Sequence, residues 1–99
     1  MIAFFLCKLL AMFYTYVLYS KKFDKIYVGY TSDLEDRFKS HNELSTKGYT
    51  LKFRPWEIAF FETFETKSAA IQREKQLKSS RGRAYIRAKL LEEGLISVS

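Results

Sequence analysis

Hydrophobic positions in this chain switch between a period of two and a period near 3.6, and the switches divide it into six elements. The runs Tyr14-Thr15-Tyr16-Val17-Leu18-Tyr19 and Ile26-Tyr27-Val28-Gly29-Tyr30-Thr31 are dense in β-branched and aromatic residues. The polar stretch Ser20 to Lys25 separates them, so they read as an antiparallel hairpin. Ser32-Asp33-Leu34-Glu35 then has the form of a capping box, with the Ser32 hydroxyl and the Glu35 side chain answering each other's orphan backbone donors. The spacing predicts a helix from Asp33 to about Asn42, with Leu34, Phe38 and position 41 on its apolar stripe.

Residues 43–55 lack periodicity, contain Gly48 and Pro55, and are expected to form a loop. Trp56 to Glu65 alternates well enough for a third strand, with Trp56, Ile58, Phe60 and Phe64 expected on one face. Thr66 or Lys67 opens a second helix carrying Ala70, Ile71, Glu74 and Leu77 on one side. Gly82 is expected to separate it from a third helix that ends at Gly94. The predicted order is β-β-α-β-α-α, an α+β domain whose three-stranded antiparallel or mixed sheet is flanked by helices.

With 99 residues, 47% of them hydrophobic and 17% aromatic, the chain can build one modest core. A single cysteine, Cys7, excludes an intramolecular disulfide, and one cysteine with one histidine excludes a four-ligand zinc site of the usual kind. The chain reads as intracellular, and a cytoplasmic protein is expected. The apolar run from Met1 to Phe13, interrupted by Lys8, is shorter than the roughly 20 residues a membrane span needs. It also lacks the basic n-region of a secretory signal. Residues 1–13 are therefore expected to be an N-terminal extension, with translation starting at Met12, ahead of a domain at 14–94 and a tail at 95–99.

Charge changes the picture by its location. The formal net charge is +6, yet residues 67–89 alone carry +7: Lys67, Arg73, Lys75, Lys78, Arg81, Arg83, Arg87 and Lys89 against Glu74. A solvated helical surface is the bland reading of such a run; a polyanion is the natural partner in the other. Four of the eight cations are arginines, whose planar forks suit phosphate.

Several polar residues fall where packing alone would not put them. Leu34, Arg37, Phe38 and His41 lie at i, i+3, i+4 and i+7, so Arg37 and His41 share the face that Leu34 and Phe38 bury. Each alone reads as a snorkelling arginine or a satisfied histidine; together they aim a fork of donors and an imidazole at one point. Glu74, between Ile71 and Leu77, lies on or beside a buried stripe and needs compensation. An ion pair with Arg37 or Arg73 would supply it, and so would a divalent cation, since Mg²⁺ takes one or two protein carboxylates and completes its shell with water and phosphate. Tyr16 and Tyr27 are ordinary strand tyrosines, but Gly29 beside Tyr27 weakens its strand and marks a close approach of a ligand or another backbone.

Taken jointly, Tyr16, Tyr27-Val28-Gly29, Arg37, His41 and Glu74 resemble the GIY-YIG nuclease superfamily, and within it the small single-domain members. Tyr16 precedes Tyr27 by eleven residues, and Tyr27 precedes Arg37 by ten. The first motif, Tyr14-Thr15-Tyr16, keeps only the tyrosine, and Tyr14 places a large side chain where the family often has none. The resemblance covers residues 14 to about 90. It implies phosphodiester cleavage by one divalent ion, Mg²⁺ or Mn²⁺, held by Glu74. Arg37 would stabilise the phosphoryl oxygens, while Tyr16, Tyr27 and His41 would activate or position water, with Tyr16 the preferred base and His41 its partner or alternative. The implied substrate is DNA, structured or damaged, gripped by Lys67, Arg73, Lys75, Lys78, Arg81, Arg83 and Arg87. A non-catalytic nucleic-acid-binding module and a protein-binding module are the competing readings; oligomeric state is open, and no membrane partner is expected.

Overall fold

The structure is a computed structural model that describes residues 12–44 and 48–96. Strand β1 (Phe13–Ser20) lies between β2 (Lys25–Thr31) and β3 (Glu57–Phe64), and both pairings are antiparallel. Helix α1 (Leu34–Lys39) runs on into a π-helical turn (Ser40–Leu44), and a short helix α2 (Tyr49–Lys52) precedes β3. Helices α3 (Lys67–Lys78) and α4 (Ser80–Glu92) complete the chain. The expected α+β class and element order hold, and the sheet is wholly antiparallel. Of the expected N-terminal extension only Met12 and Phe13 lie within the described residues, and Phe13 opens β1; Leu95 and Ile96 of the tail pack against the core.

Alternation along β1 sends side chains to two separate cores, because successive residues of a strand face opposite ways. Val17 and Tyr19, with Val28 of β2, pack on Leu77 of α3 and on Ile86 and Leu90 of α4. Tyr16 and Leu18 pack on Trp56, with Tyr27, Leu34, Phe38 and Phe53 around them. The central strand is therefore buried on both faces, which explains its nearly unbroken apolar sequence. Each fully buried aliphatic side chain contributes about 1.5–3 kcal/mol.

Four local expectations are corrected. The cap of α1 is Asp33, whose carboxylate accepts from the Asp36 amide, while Thr31 rather than Ser32 engages the Asp33 backbone. Residues 49–52 within the expected loop form a helical turn, held because Trp56 Nε1 donates to the Thr50 carbonyl at 2.7 Å. In β3, Val17 pairs with Phe60 but Leu18 with Ile58, so Ala59 is an inserted residue. That bulge puts Ile58 on the opposite face from Phe60, and the four-residue stripe expected of β3 is split.

Gly82 does not separate the last two helices. Ser79 does, accepting from the Gly82 amide as the cap of α4, and Gly82 is buried inside the first turn. A Cβ there would overlap the Gln76 carbonyl and the Leu77 backbone, neither of which is a flexible side chain. Gly82→Ala is accordingly expected to destabilise the domain by at least about 2 kcal/mol, lowering its thermal midpoint by roughly 10 °C in a circular-dichroism melt. An unchanged midpoint would contradict this close approach.

Candidate active site

The edge strand β2 meets α1 on one side and α3 on the other, and there a cleft of about 390 Å³ opens. Tyr16, Tyr27, Gly29, Tyr30, Thr31, Arg37 and Glu74 line it. Four elements, β1, β2, α1 and α3, thus bring together five of the residues singled out in the sequence, and the sixth, His41, lies directly behind Tyr16: its Nε2 is 2.8 Å from the Tyr16 hydroxyl in a buried contact. The Tyr27 ring closes the group, stacked on Tyr16 with centroids 6.2 Å apart and tilted against His41 at 4.6 Å.

Gly29 has a different purpose from the one expected. The close approach at this strand glycine is made by the chain's own Tyr16, because a Cβ at Gly29 would lie 2.6 Å from the Tyr16 hydroxyl oxygen. The glycine leaves room for the tip of a buried ring that is itself fixed by His41. Tyr14 does not narrow the cleft. It packs edge-on against Phe61 at 5.9 Å and lines a separate groove with Leu34 and Phe38, so the altered first motif leaves the cleft open.

Burial sets the ionisation of the central pair. It pushes the Tyr16 phenol up to about 12, against the opposing pull of Arg37, and Tyr16 is protonated at neutral pH. Burial also holds His41 down at about 4, helped by the positive charges of Arg37 and Arg54, so this imidazole is neutral. Arg37 stands exposed at the rim, and its interactions with the Tyr16 and Tyr27 hydroxyls raise it further above its usual value.

Because the unfolded chain would bind a proton on His41 near pH 6.5 and the folded chain only near 4, stability from this group is complete above 6.5 and is lost as pH falls toward 4. The loss should reach about 2–3 kcal/mol. Urea melts at neutral and acid pH should show it as the part of the acid destabilisation that His41→Asn removes; equal pH dependence in both proteins would contradict a buried neutral imidazole.

Sequence reasoning passed over the residues that hold this group in place. Arg54 Nε donates to the His41 carbonyl at 2.7 Å and Nη2 to the Ser40 carbonyl at 3.3 Å, clamping the π-helical turn. Asn42 exchanges two hydrogen bonds with the Trp56 backbone, at 2.9 and 2.7 Å. Thr15 Oγ1 donates to the Ala70 carbonyl at 2.7 Å, tying β1 to the turn of α3 just before Glu74. These contacts span 13 to 55 residues and leave no local pattern to read.

Glu74 is the only carboxylate among the described residues lining the cleft, and its partner is Lys78 at 3.5 Å rather than Arg37 or Arg73. Among the described residues no group of three metal-ligating side chains exists. One partly exposed carboxylate beside open space fits a hard divalent cation that keeps water and phosphate in its shell, and does not fit a zinc cage. The remaining cations do not converge on the cleft. Arg73 is ion-paired with Glu62 at 2.8 Å and lies over the Tyr85 ring. Lys75 and Arg81 flank a different groove beside Tyr85, Lys67 is exposed in the first turn of α3, and Lys78, Arg83 and Arg87 lie on the β2 side.

A family model described as the GIY-YIG catalytic domain matches residues 12–86. Similar proteins include a UPF0213 protein of Haloquadratum walsbyi, 40% identical over 74 residues that cover 72% of this chain and 78% of that one. A UPF0213 protein of Bacillus velezensis is 42% identical over 69 residues, covering 67% and 70%. One from Staphylococcus saprophyticus is 37% identical over 81 residues, covering 82% and 95%. No helix of the described residues is long and apolar enough to cross a membrane.

Proposed function

This chain belongs to the GIY-YIG family, a nuclease-like family, and on that premise we propose that it is a metal-dependent endonuclease that hydrolyses phosphodiester bonds in DNA. One observation carries the reading: a phenol buttressed by a neutral imidazole, a guanidinium and a lone carboxylate surround a single open cleft. A phosphodiester under attack gains negative charge on its non-bridging oxygens, which Arg37, lining the cleft, would neutralise. Glu74 would hold one Mg²⁺ or Mn²⁺ ion, which supplies further neutralisation of that charge.

Tyr16 is the base in this reading. Neutral His41 can present Nε2–H to the Tyr16 oxygen from behind, leaving the phenolic proton directed to the cleft. Once Tyr16 gives up that proton to solvent in the cleft, His41 behind it and Arg37 in front would both stabilise the ionised oxygen. That oxygen takes a proton from the attacking water as the water oxygen bonds to phosphorus and the bond to the leaving sugar oxygen breaks, the sugar oxygen being protonated by solvent. Tyr27 restrains both rings, stacked on Tyr16 and tilted against His41. Incubation of the protein with branched, nicked and linear DNA in Mg²⁺ or Mn²⁺ should yield cleavage products; no cleavage of any substrate would refute the proposal. Binding without metal-dependent cleavage would establish instead the non-catalytic module.

A further inference from the structure

A second concavity, a groove of about 540 Å³, continues from the cleft along the free edge of β2. Tyr27 belongs to both: the cleft takes Tyr27 to Thr31 of the strand, and the groove takes Asp24 to Val28. The opposite wall advances in step, from Glu74 in the cleft to Leu77 and Lys78 one helical turn later, then to Arg83 and Arg87 of α4.

Four cations, Lys25, Lys78, Arg83 and Arg87, line the groove against a single carboxylate, Asp24. That carboxylate is already neutralised, accepting from Arg87 at 2.9 Å and from the Tyr19 hydroxyl at 2.8 Å, which holds it below its ordinary value. Lys25 belongs to this set although it lies outside the basic stretch of the sequence. The wall also carries an exposed aromatic ring, Tyr49, packed on Phe53 at 4.9 Å and on Trp56 at 6.0 Å. Charge without a free acid, a rigid ring face and continuity with the cleft together describe a track for a nucleic-acid strand.

We propose that this groove binds the DNA strand flanking the scissile phosphate, with Lys25, Lys78 and Arg83 on its phosphates and Tyr49 against a sugar or base. The track is directional: with cleavage in the neighbouring cleft, as proposed above, the strand leaves over Tyr27 toward the turn between β1 and β2. From Gly29 back to Lys25 the strand edge spans roughly 13 Å, the rise of about four stacked nucleotides. The cations around Tyr85 on the far side of α3 and α4 take no part.

Binding measured in chelator separates this proposal from the cleavage reading, since no hydrolysis is needed. Fluorescence anisotropy of a labelled nicked DNA duplex, titrated across a salt series, compares the wild type with two triple variants. Lys25→Gln/Lys78→Gln/Arg83→Gln removes groove charge; Lys67→Gln/Lys75→Gln/Arg81→Gln removes the same charge elsewhere, and all six side chains are exposed, so thermal melts should match. The groove triple should bind at least tenfold more weakly at moderate salt, with the log–log salt slope reduced by about 2 to 3; the other triple should change affinity less than about twofold. Tyr49→Leu should weaken binding about fivefold or more with the slope unchanged. Equal losses from the two triples, a greater loss from the second, or no binding by the wild type would overturn the proposal. An RNA duplex of the same sequence, run in parallel, shows whether the track discriminates the sugar.

Discussion

Replacing Glu74 by Gln is expected to lower metal-dependent DNA cleavage by at least about 10³-fold while leaving DNA binding in chelator nearly unchanged. The side chain keeps its size and loses its charge, and it is the one cleft carboxylate among the described residues, so no neighbour can take over a divalent ion. Folding should survive, because the substitution disturbs the ion pair to Lys78 at 3.5 Å, in which the lysine is more than half exposed. Such i, i+4 pairs contribute about 0.5 kcal/mol or less. Electron paramagnetic resonance of Mn²⁺ provides a readout independent of turnover: free Mn²⁺ should persist in the variant at protein concentrations where the wild type depletes it. Equal cleavage by wild type and variant would remove Glu74 from the chemistry. Equal Mn²⁺ binding without cleavage would instead move the metal off Glu74 and leave the carboxylate another role in the same cleft.

The sequence carried the cleft further than it carried the frame around it, and particular residues show why. Leu34, Phe38 and His41 repeat at helical spacing, and a period survives without knowledge of the partner surface. The inserted Ala59 in β3 leaves no trace in composition, yet it moves Ile58 and Phe60 to opposite faces. Gly82 announced a helix break by its identity, whereas its actual requirement is contact with the Gln76 and Leu77 backbone, a tertiary fact. Residues 48–55 looked structureless because Trp56, Thr50 and Asn42 organise them by hydrogen bonds across elements rather than by periodicity. Glu74 and Lys78 stood at a visible i, i+4 spacing, but a stripe read for burial favoured more distant arginines as partners. Gly29 was conspicuous for the right reason, a close approach, with the approaching group misassigned.

Tyr16→Phe separates the two candidate bases, because burial has moved their ionisations to opposite ends of the pH scale. If Tyr16 is the base, the reactive form is the phenolate of a group at about 12, and its fraction grows about tenfold per pH unit throughout the workable range. If His41 is the base, its neutral form is already complete well above pH 4, and the rate should be flat from about pH 6 upward. The wild type is therefore expected to show log kcat rising with pH at a slope near one between about pH 6 and 9. Tyr16→Phe should lower kcat at neutral pH by about 10²- to 10⁴-fold and flatten that slope, with DNA affinity retained. Loss of the hydroxyl also deprives His41 of its 2.8 Å partner, so a matched His41→Asn variant is needed. That variant should keep the rising slope at a reduced rate, since it perturbs the environment of the phenol without removing it. A flat wild-type profile abolished by His41→Asn would transfer the role of base to the imidazole and leave Tyr16 as the group that orients it.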